Sequence, residues 1–231
     1  MKLLLIRHAQ STNNHAANAA DYLQVRQADP PLTQLGQEQA HTLAQWMKND
    51  PLSQQITHLY SSLTTRALQT AAPLAAALKL GVHGLSEAYE CGGLNTGPEG
   101  NFQPVMGGNH ASLVQDCPPL LWPPHLRGQA WDGGCEPWEH TRFAARAKSV
   151  VAQLQATEAA NVLALVTHHD FAQFLLAELL ALPTPTDTGL TFRISNTSTS
   201  LIEIQGGQDK EKTRVLHWLN RTDHLTGTAT L

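Results

Sequence analysis

Met1-Lys-Leu-Leu-Leu-Ile-Arg7-His8-Ala-Gln-Ser11-Thr-Asn13-Asn14 opens the chain, and its reading decides the fold. Leu3 to Ile6 is an unbroken apolar run, too short for a helix. Such a run reads as a strand of a parallel sheet, buried on both faces. It ends abruptly in a cation and an imidazole, followed by small polar residues that favour turns and helix starts. Ligands of open α/β sheets bind at the carboxyl ends of the strands, so Arg7 and His8 are expected at that edge. An arginine fork there suits phosphate oxygens, and a neutral imidazole can attack phosphorus. Taken alone, the pair fits equally well a strand end where Arg7 snorkels to solvent.

Working outward, a second apolar run, Asn161 to Val166, ends in Thr167-His168-His169-Asp170 and turns into a helix over Phe171 to Leu182, stopped by Pro183. Ile56 to Tyr60 reads as another short strand, running through Ser61-Ser62-Leu-Thr64-Thr65-Arg66 into an alanine-rich helix that lasts to about Lys79. Thr33 is placed to cap a helix that Asn49-Asp50-Pro51 ends. Val82 to Leu85 suggests a further strand. A helix is expected from Glu136 or Glu139 to Gln155. Ser198 to Gln205 and Thr213 to Leu219 read as a hairpin at one sheet edge, turning through Gly206-Gly207-Gln-Asp-Lys. Residues 13 to 31 read as a loop or a partly helical excursion over the first strand end.

Between Ala88 and Pro137 periodicity fails, and glycine, proline, cysteine and tryptophan crowd together. Long irregular stretches in compact domains are uncommon and tend to be functional or disordered. Trp122, Trp131 and Trp138 argue against disorder. The expectation is one domain over residues 1 to 231, with 88 to 137 as an inserted, loop-rich cap. The fold class is α/β: a three-layer α/β/α sandwich, its central sheet mostly parallel with helices on both faces.

The 231 residues carry a formal net charge of −4 with only 15% charged side chains. Neither nucleic acid nor an anionic membrane is an expected partner, and any anion site must be a local cluster of cations. Cys91, Cys117 and Cys135 lack metal-ligand spacing and read as free thiols of a reducing compartment, hence a cytoplasmic protein. The twelve histidines are scattered without a zinc-type pattern, so no metal and no cofactor are expected. Oligomeric state is not legible.

Strand-Arg-His-small-x-Ser-x-x-Asn resembles the opening motif of the histidine phosphatase superfamily, the phosphoglycerate-mutase-like proteins. Further motifs follow in the family's order. Thr33-x-x-Gly36-x-x-Gln39-Ala40 resembles its LTxxGxxQA segment. Ser61-Ser62-Leu-x-x-Arg66-Ala-x-x-Thr70-Ala resembles its SxLxRAxxTA segment. Leu85-Ser-Glu87 resembles the stretch bearing its acid, and Val166-Thr167-His168 the segment with its second histidine. Asn196-Thr-Ser198 and Asp223-His224-Leu225 resemble late segments with no direct chemistry. Two departures stand out: Ala9 and His169 occupy positions where the family usually has glycine.

The resemblance implies a phosphomonoesterase of the histidine acid phosphatase type acting on a small phosphate ester. His8 is then the nucleophile, forming a phosphohistidine. Arg7, Asn14, Arg66 and His168 hold the phosphoryl oxygens, with His169 a further phosphate-binding candidate. Glu87 is the expected proton donor, with Glu90 and Glu136, which also border the insertion, as alternatives. A mutase is the second enzyme reading, weakened because the insertion holds only Arg127 as a fixed cation. A phospho-ligand binder without turnover is the third, motivated by Ala9 and His169.

Overall fold

The computed structural model describes residues 1–98, 101–157, 162–206, 212–227 and 229–231. In chain order the elements are β1 (Lys2–Arg7), α1 (Thr12–Ala16), α2 (Tyr22–Val25), α3 (Gln34–Asn49), β2 (Ile56–Ser62), α4 (Thr65–Leu78) and β3 (Val82–Leu85). Then come β4 (Asn95–Thr96), β5 (Gln103–Pro104), α5 (His110–Leu113), β6 (Leu120–Leu121) and α6 (His140–Thr157). The last are β7 (Val162–Thr167), α7 (His169–Leu180), α8 (Pro185–Thr188), β8 (Thr199–Gln205) and β9 (Thr213–Arg221).

Seven strands form one sheet in the order β6-β3-β2-β7-β1-β8-β9. Every pairing from β6 to β1 is parallel, and β8 and β9 add an antiparallel hairpin at the edge. The turn expected at Gly206 to Lys210 lies outside the described residues beyond Gly206 itself. The apolar runs are unbroken because β1 and β7 are covered on both faces. Leu3, Leu5, Leu163 and Leu165 pack with Phe143, Phe171 and Leu175 of α6 and α7. Leu4, Ile6, Ala164 and Val166 pack on the other face with Leu43, Met47 and Leu68 of α3 and α4. The three-layer arrangement follows.

The sheet order positions the site. β7 lies between β1 and β2, so the strand ends carrying His8, His168 and Ser62 are immediate neighbours although far apart in sequence. Two expected boundaries move. Helix α7 begins at His169, two residues earlier than its apolar pattern suggests, because Glu90 caps it from another segment. Leu120–Leu121, within the irregular stretch, adds an edge strand to the main sheet, and Leu113, Cys117 and Trp131 are buried in its core. That stretch is therefore partly scaffold, and its Asn95, Phe102 and Trp138 reach the cleft described next. All three cysteines are free thiols. Among the described residues no helix is long and apolar enough to cross a membrane.

Candidate active site

At the carboxyl ends of the parallel strands lies a cleft of about 420 Å³ whose walls include Arg7, His8, Asn14, Arg66, Glu90 and His169. His8 follows β1 directly and is almost fully buried, 3% exposed. Its Nδ1 lies 2.7 Å from the Ala9 carbonyl oxygen, which can only accept, so Nδ1 carries the proton. Nε2 is then a lone pair, and Arg66 Nε donates to it at 3.2 Å. Burial, reinforced by the Arg66 and Arg7 charges, holds the His8 pKa well below the ordinary 6.5. The ring is neutral and oriented, with an Nε2 lone pair that the Arg66 N–H occupies until a ligand draws that donor away.

Residues of the other motifs hold the turn after His8. Thr70 Oγ1 accepts from the Ala9 N–H at 3.0 Å, and Gln39 Oε1 accepts from the Gln10 N–H at 3.0 Å. Gly36 lies so close that a Cβ there would meet the Gln10 carbonyl oxygen at 2.0 Å. The late segments act on the same turn. Asn196 Nδ2 donates to the His8 carbonyl at 2.9 Å, and the Thr197 N–H to the Arg7 carbonyl at 3.0 Å.

Arg66, in the first turn of α4, lies 3.9 Å from Asp29. Asp29 also accepts from the Thr65 N–H and hydroxyl, so it caps α4 and fixes the arginine's start. Arg7 donates from Nη1 to the Ile194 carbonyl at 2.6 Å, while its buried Nε has no partner among the described residues. Burial lowers the Arg7 pKa to about 10, opposed by the Glu90 and Asp170 carboxylates, so it keeps its charge at neutral pH. Asn14 Oδ1 accepts from Ser11 and Asn196, which leaves its amide NH2 as the donor toward the cleft.

His168 is fully buried behind the cleft, its ring centroid 5.1 Å from that of His8. Its Nε2 pairs with Ser62 Oγ at 3.0 Å, and its Nδ1 has no partner among the described residues. Burial, with the Arg66 charge and then the neighbouring His8, keeps this imidazole well below its ordinary pKa. His169 lines the cleft with its Nδ1 on Asp170 Oδ1 at 2.8 Å.

The acids separate clearly. The Glu87 side chain is exposed, meets Ser149 Oγ at 3.2 Å and is not among the residues lining the cleft. Glu136 is paired with Arg146. Glu90 does line the cleft, accepting the N–H groups of Cys91, Asp170 and Phe171 at 2.9, 3.2 and 2.8 Å. Desolvation raises its pKa, the Asp170 carboxylate adds to this, and the N–H bonds oppose it. The physical cause of the displacement is Arg146. Its guanidinium sits 3.8 Å from both the Tyr89 and Phe171 rings and donates to the Glu87 and Tyr89 carbonyls. That clamp bends the chain after β3, turning Glu87 outward and Glu90 inward.

Sequence reasoning missed Asp29, Arg146 and Arg26, the last a third guanidinium in the cleft wall. Asp29-Pro-Pro before a capping threonine was a signal for the first. Nothing local marked the other two. Among the described residues no three His, Cys, Asp or Glu side chains converge as metal ligands.

The carboxyl edge of the parallel sheet, with the first turn of α4, brings two guanidinium groups and a neutral imidazole to one cleft of an α/β protein, an arrangement suited to an oxyanion. This chain belongs to the histidine phosphatase superfamily (branch 1), whose model matches residues 3–216. No curated protein sequence matches it. Among solved structures it resembles a phosphoserine phosphatase mutant from Entamoeba histolytica in complex with phosphoserine, at 22% identity and TM-score 0.63, covering 97% of this chain and 99% of that one. It also resembles a mycobacterial glucosyl-3-phosphoglycerate phosphatase, at 24% identity and TM-score 0.65, covering 96% of this chain and 99% of that one. At these identities the likeness shows the fold.

Proposed function

We propose that this protein is a metal-independent phosphomonoester hydrolase of branch 1 that works through a phosphohistidine on His8, with residues 88 to 137 as its cap. The observation that carries the reading is the His8 ring. Its Nδ1 proton is held by the Ala9 carbonyl, and its Nε2 lone pair sits in the cleft between Arg66 and the buried His168. Family membership supports phosphomonoester hydrolysis in general.

Hydrolysis of a phosphate monoester demands removal of on the order of 20 kcal/mol or more of barrier. Most of that comes from positioning and from fixed positive charge on the phosphoryl oxygens. Arg7 and Arg66 supply the charge, Asn14 a neutral donor. The Ser62 hydroxyl hydrogen-bonds to the His168 Nε2 lone pair, so the ring proton sits on Nδ1, which is the donor offered to a phosphoryl oxygen. As the phosphate binds, Arg66 turns its Nε–H from His8 to a phosphoryl oxygen; the freed Nε2 lone pair attacks phosphorus, the ester P–O bond breaks, and Glu90 gives its proton to the departing oxygen. Water then attacks the phosphohistidine, Glu90 takes the water's proton, and the bond pair returns to Nε2. In this reading Glu90 takes the role first expected of Glu87, since of Glu87, Glu90 and Glu136 it is Glu90 that lines the cleft. Burial raises its pKa, which favours the protonated form the first step needs.

Neither departure from the family pattern obstructs this reading. Ala9 is fully buried with its N–H on Thr70 and its carbonyl still on His8. The His169 ring turns to Asp170. Hydrolysis of a chromogenic phosphate ester in EDTA tests the proposal. Turnover is expected to persist in EDTA and to vanish in His8→Ala; turnover abolished by EDTA, or retained by His8→Ala, contradicts it.

A further inference from the structure

The phosphoryl group and the nucleophile account for Arg7, Arg66, His168 and Asn14, yet the cleft wall holds a further guanidinium, that of Arg26. Arg26 is half-buried, and no carboxylate lies within ion-pair distance of it among the described residues. Its Nη2 donates to Asn95 Oδ1 at 2.7 Å and reaches the Gly97 carbonyl at 3.4 Å. Its guanidinium carbon stands 4.9 Å from the centroid of the Phe102 ring. These partners are neutral. They fix the orientation of the fork, and among the described residues nothing compensates its charge or takes Nε or Nη1.

The backbone under Arg26 is held as well. Asn13 exchanges two hydrogen bonds of 2.9 Å with the backbone of Gln27, and the Arg26 N–H donates to the Tyr22 carbonyl at 2.9 Å. A pre-oriented, partly desolvated arginine without a counter-ion is a binding element for an oxyanion. A cleft of about 420 Å³ admits one small molecule, so Arg26 and the phosphoryl-holding arginines contact the same ligand. Beyond Arg26 the cleft opens past Leu23, Phe102 and Trp138 into an apolar hollow of about 810 Å³. Arg26, set against Phe102, belongs to the wall shared with that hollow and not to the sheet edge that holds the phosphoryl group, which places it toward the leaving group.

We infer that Arg26, oriented by Asn95 and Phe102, is a subsite for an anionic group on the leaving group. The preferred substrates are then phosphate esters of hydroxy acids, whose leaving group carries a carboxylate. This rests on the phosphatase reading of the same cleft. The test compares 3-phosphoglycerate with glycerol 3-phosphate, which differ at the carboxylate, and fructose 1,6-bisphosphate with fructose 6-phosphate, which differ by a second phosphate. The wild type is expected to prefer 3-phosphoglycerate in kcat/KM by about tenfold or more, as a charge-assisted contact gives. Arg26→Gln should collapse that ratio, chiefly through KM, and Arg26→Lys restore part of it. A ratio unchanged in Arg26→Gln overturns the subsite, and a larger effect in the sugar pair assigns it to phosphate instead of carboxylate and overturns the hydroxy-acid class. Calorimetric titration of His8→Ala with the glycerol pair reads the same preference without turnover. Failure of hydrolysis alone is thereby told apart from failure of the subsite.

Discussion

Replacing Glu90 with glutamine removes proton donation while keeping the size of the side chain and most of its hydrogen bonds. The carboxylate accepts three backbone N–H groups, two of them in the first turn of α7. Glutamine keeps one acceptor oxygen for Cys91 and Phe171 but turns an NH2 toward the Asp170 N–H. The variant is expected to lose about 1–3 kcal/mol of stability for that unmade bond and to remain folded. Loss of a general acid lowers the rate by about 10²- to 10⁴-fold. The assay is kcat/KM, which reports transfer to His8 and not the later water step, for an alkyl phosphate and for p-nitrophenyl phosphate. The alkyl ester should show the full loss, because an alkoxide must be protonated as it leaves. The nitrophenyl ester should lose far less. Because burial raises the Glu90 pKa, the alkyl-ester rate should fall as pH rises through that raised value, and this limb should vanish in Glu90→Gln. Glu87→Gln, an exposed change outside the cleft, should behave as wild type. Loss of alkyl-ester activity in Glu87→Gln with retention in Glu90→Gln would refute the assignment, as would equal losses for both esters in Glu90→Gln.

Two further outcomes concern the frame around the site. Gly36→Ala puts a methyl group 2.0 Å from the Gln10 carbonyl oxygen. It should cost about 1–3 kcal/mol in chemical denaturation and lower kcat by shifting the turn after His8; wild-type values of both would contradict the packing argument. His224 is buried against Thr197, and burial lowers its pKa to about 4 from the ordinary 6.5. A histidine kept neutral in the fold contributes stability that is complete above 6.5 and is lost as pH falls toward 4, since the unfolded chain binds the proton first. Melting of His224→Gln should therefore depend less on pH across that window than melting of the wild type, and parallel curves would contradict it.

The fold was legible where side-chain periodicity and strand length speak directly. The runs at Leu3 and at Val162 are apolar without a break because both faces are covered, and their terminal histidines mark the sheet edge. Motif glycines and hydroxyls gain a physical reason only in three dimensions: Gly36, Gln39 and Thr70 all secure the backbone next to His8. Which glutamate faces the cleft was not legible, because Glu87 and Glu90 follow the same strand. What turns one in and the other out is Arg146, supplied by α6 across the irregular stretch. Arg26 was overlooked for a related reason. A lone arginine in a polar excursion carries no local signal until Asn95 and Phe102 fold against it.

The measurement closest to the central claim is rapid-quench labelling with a phosphate ester carrying radioactive phosphorus, followed by peptide mapping under alkaline conditions that preserve phosphohistidine. Label should appear on the peptide containing His8 before product accumulates, bonded to Nε2, at no more than one phosphoryl group per chain. Turnover proceeding with no label on His8, or with label on another residue, would contradict the account.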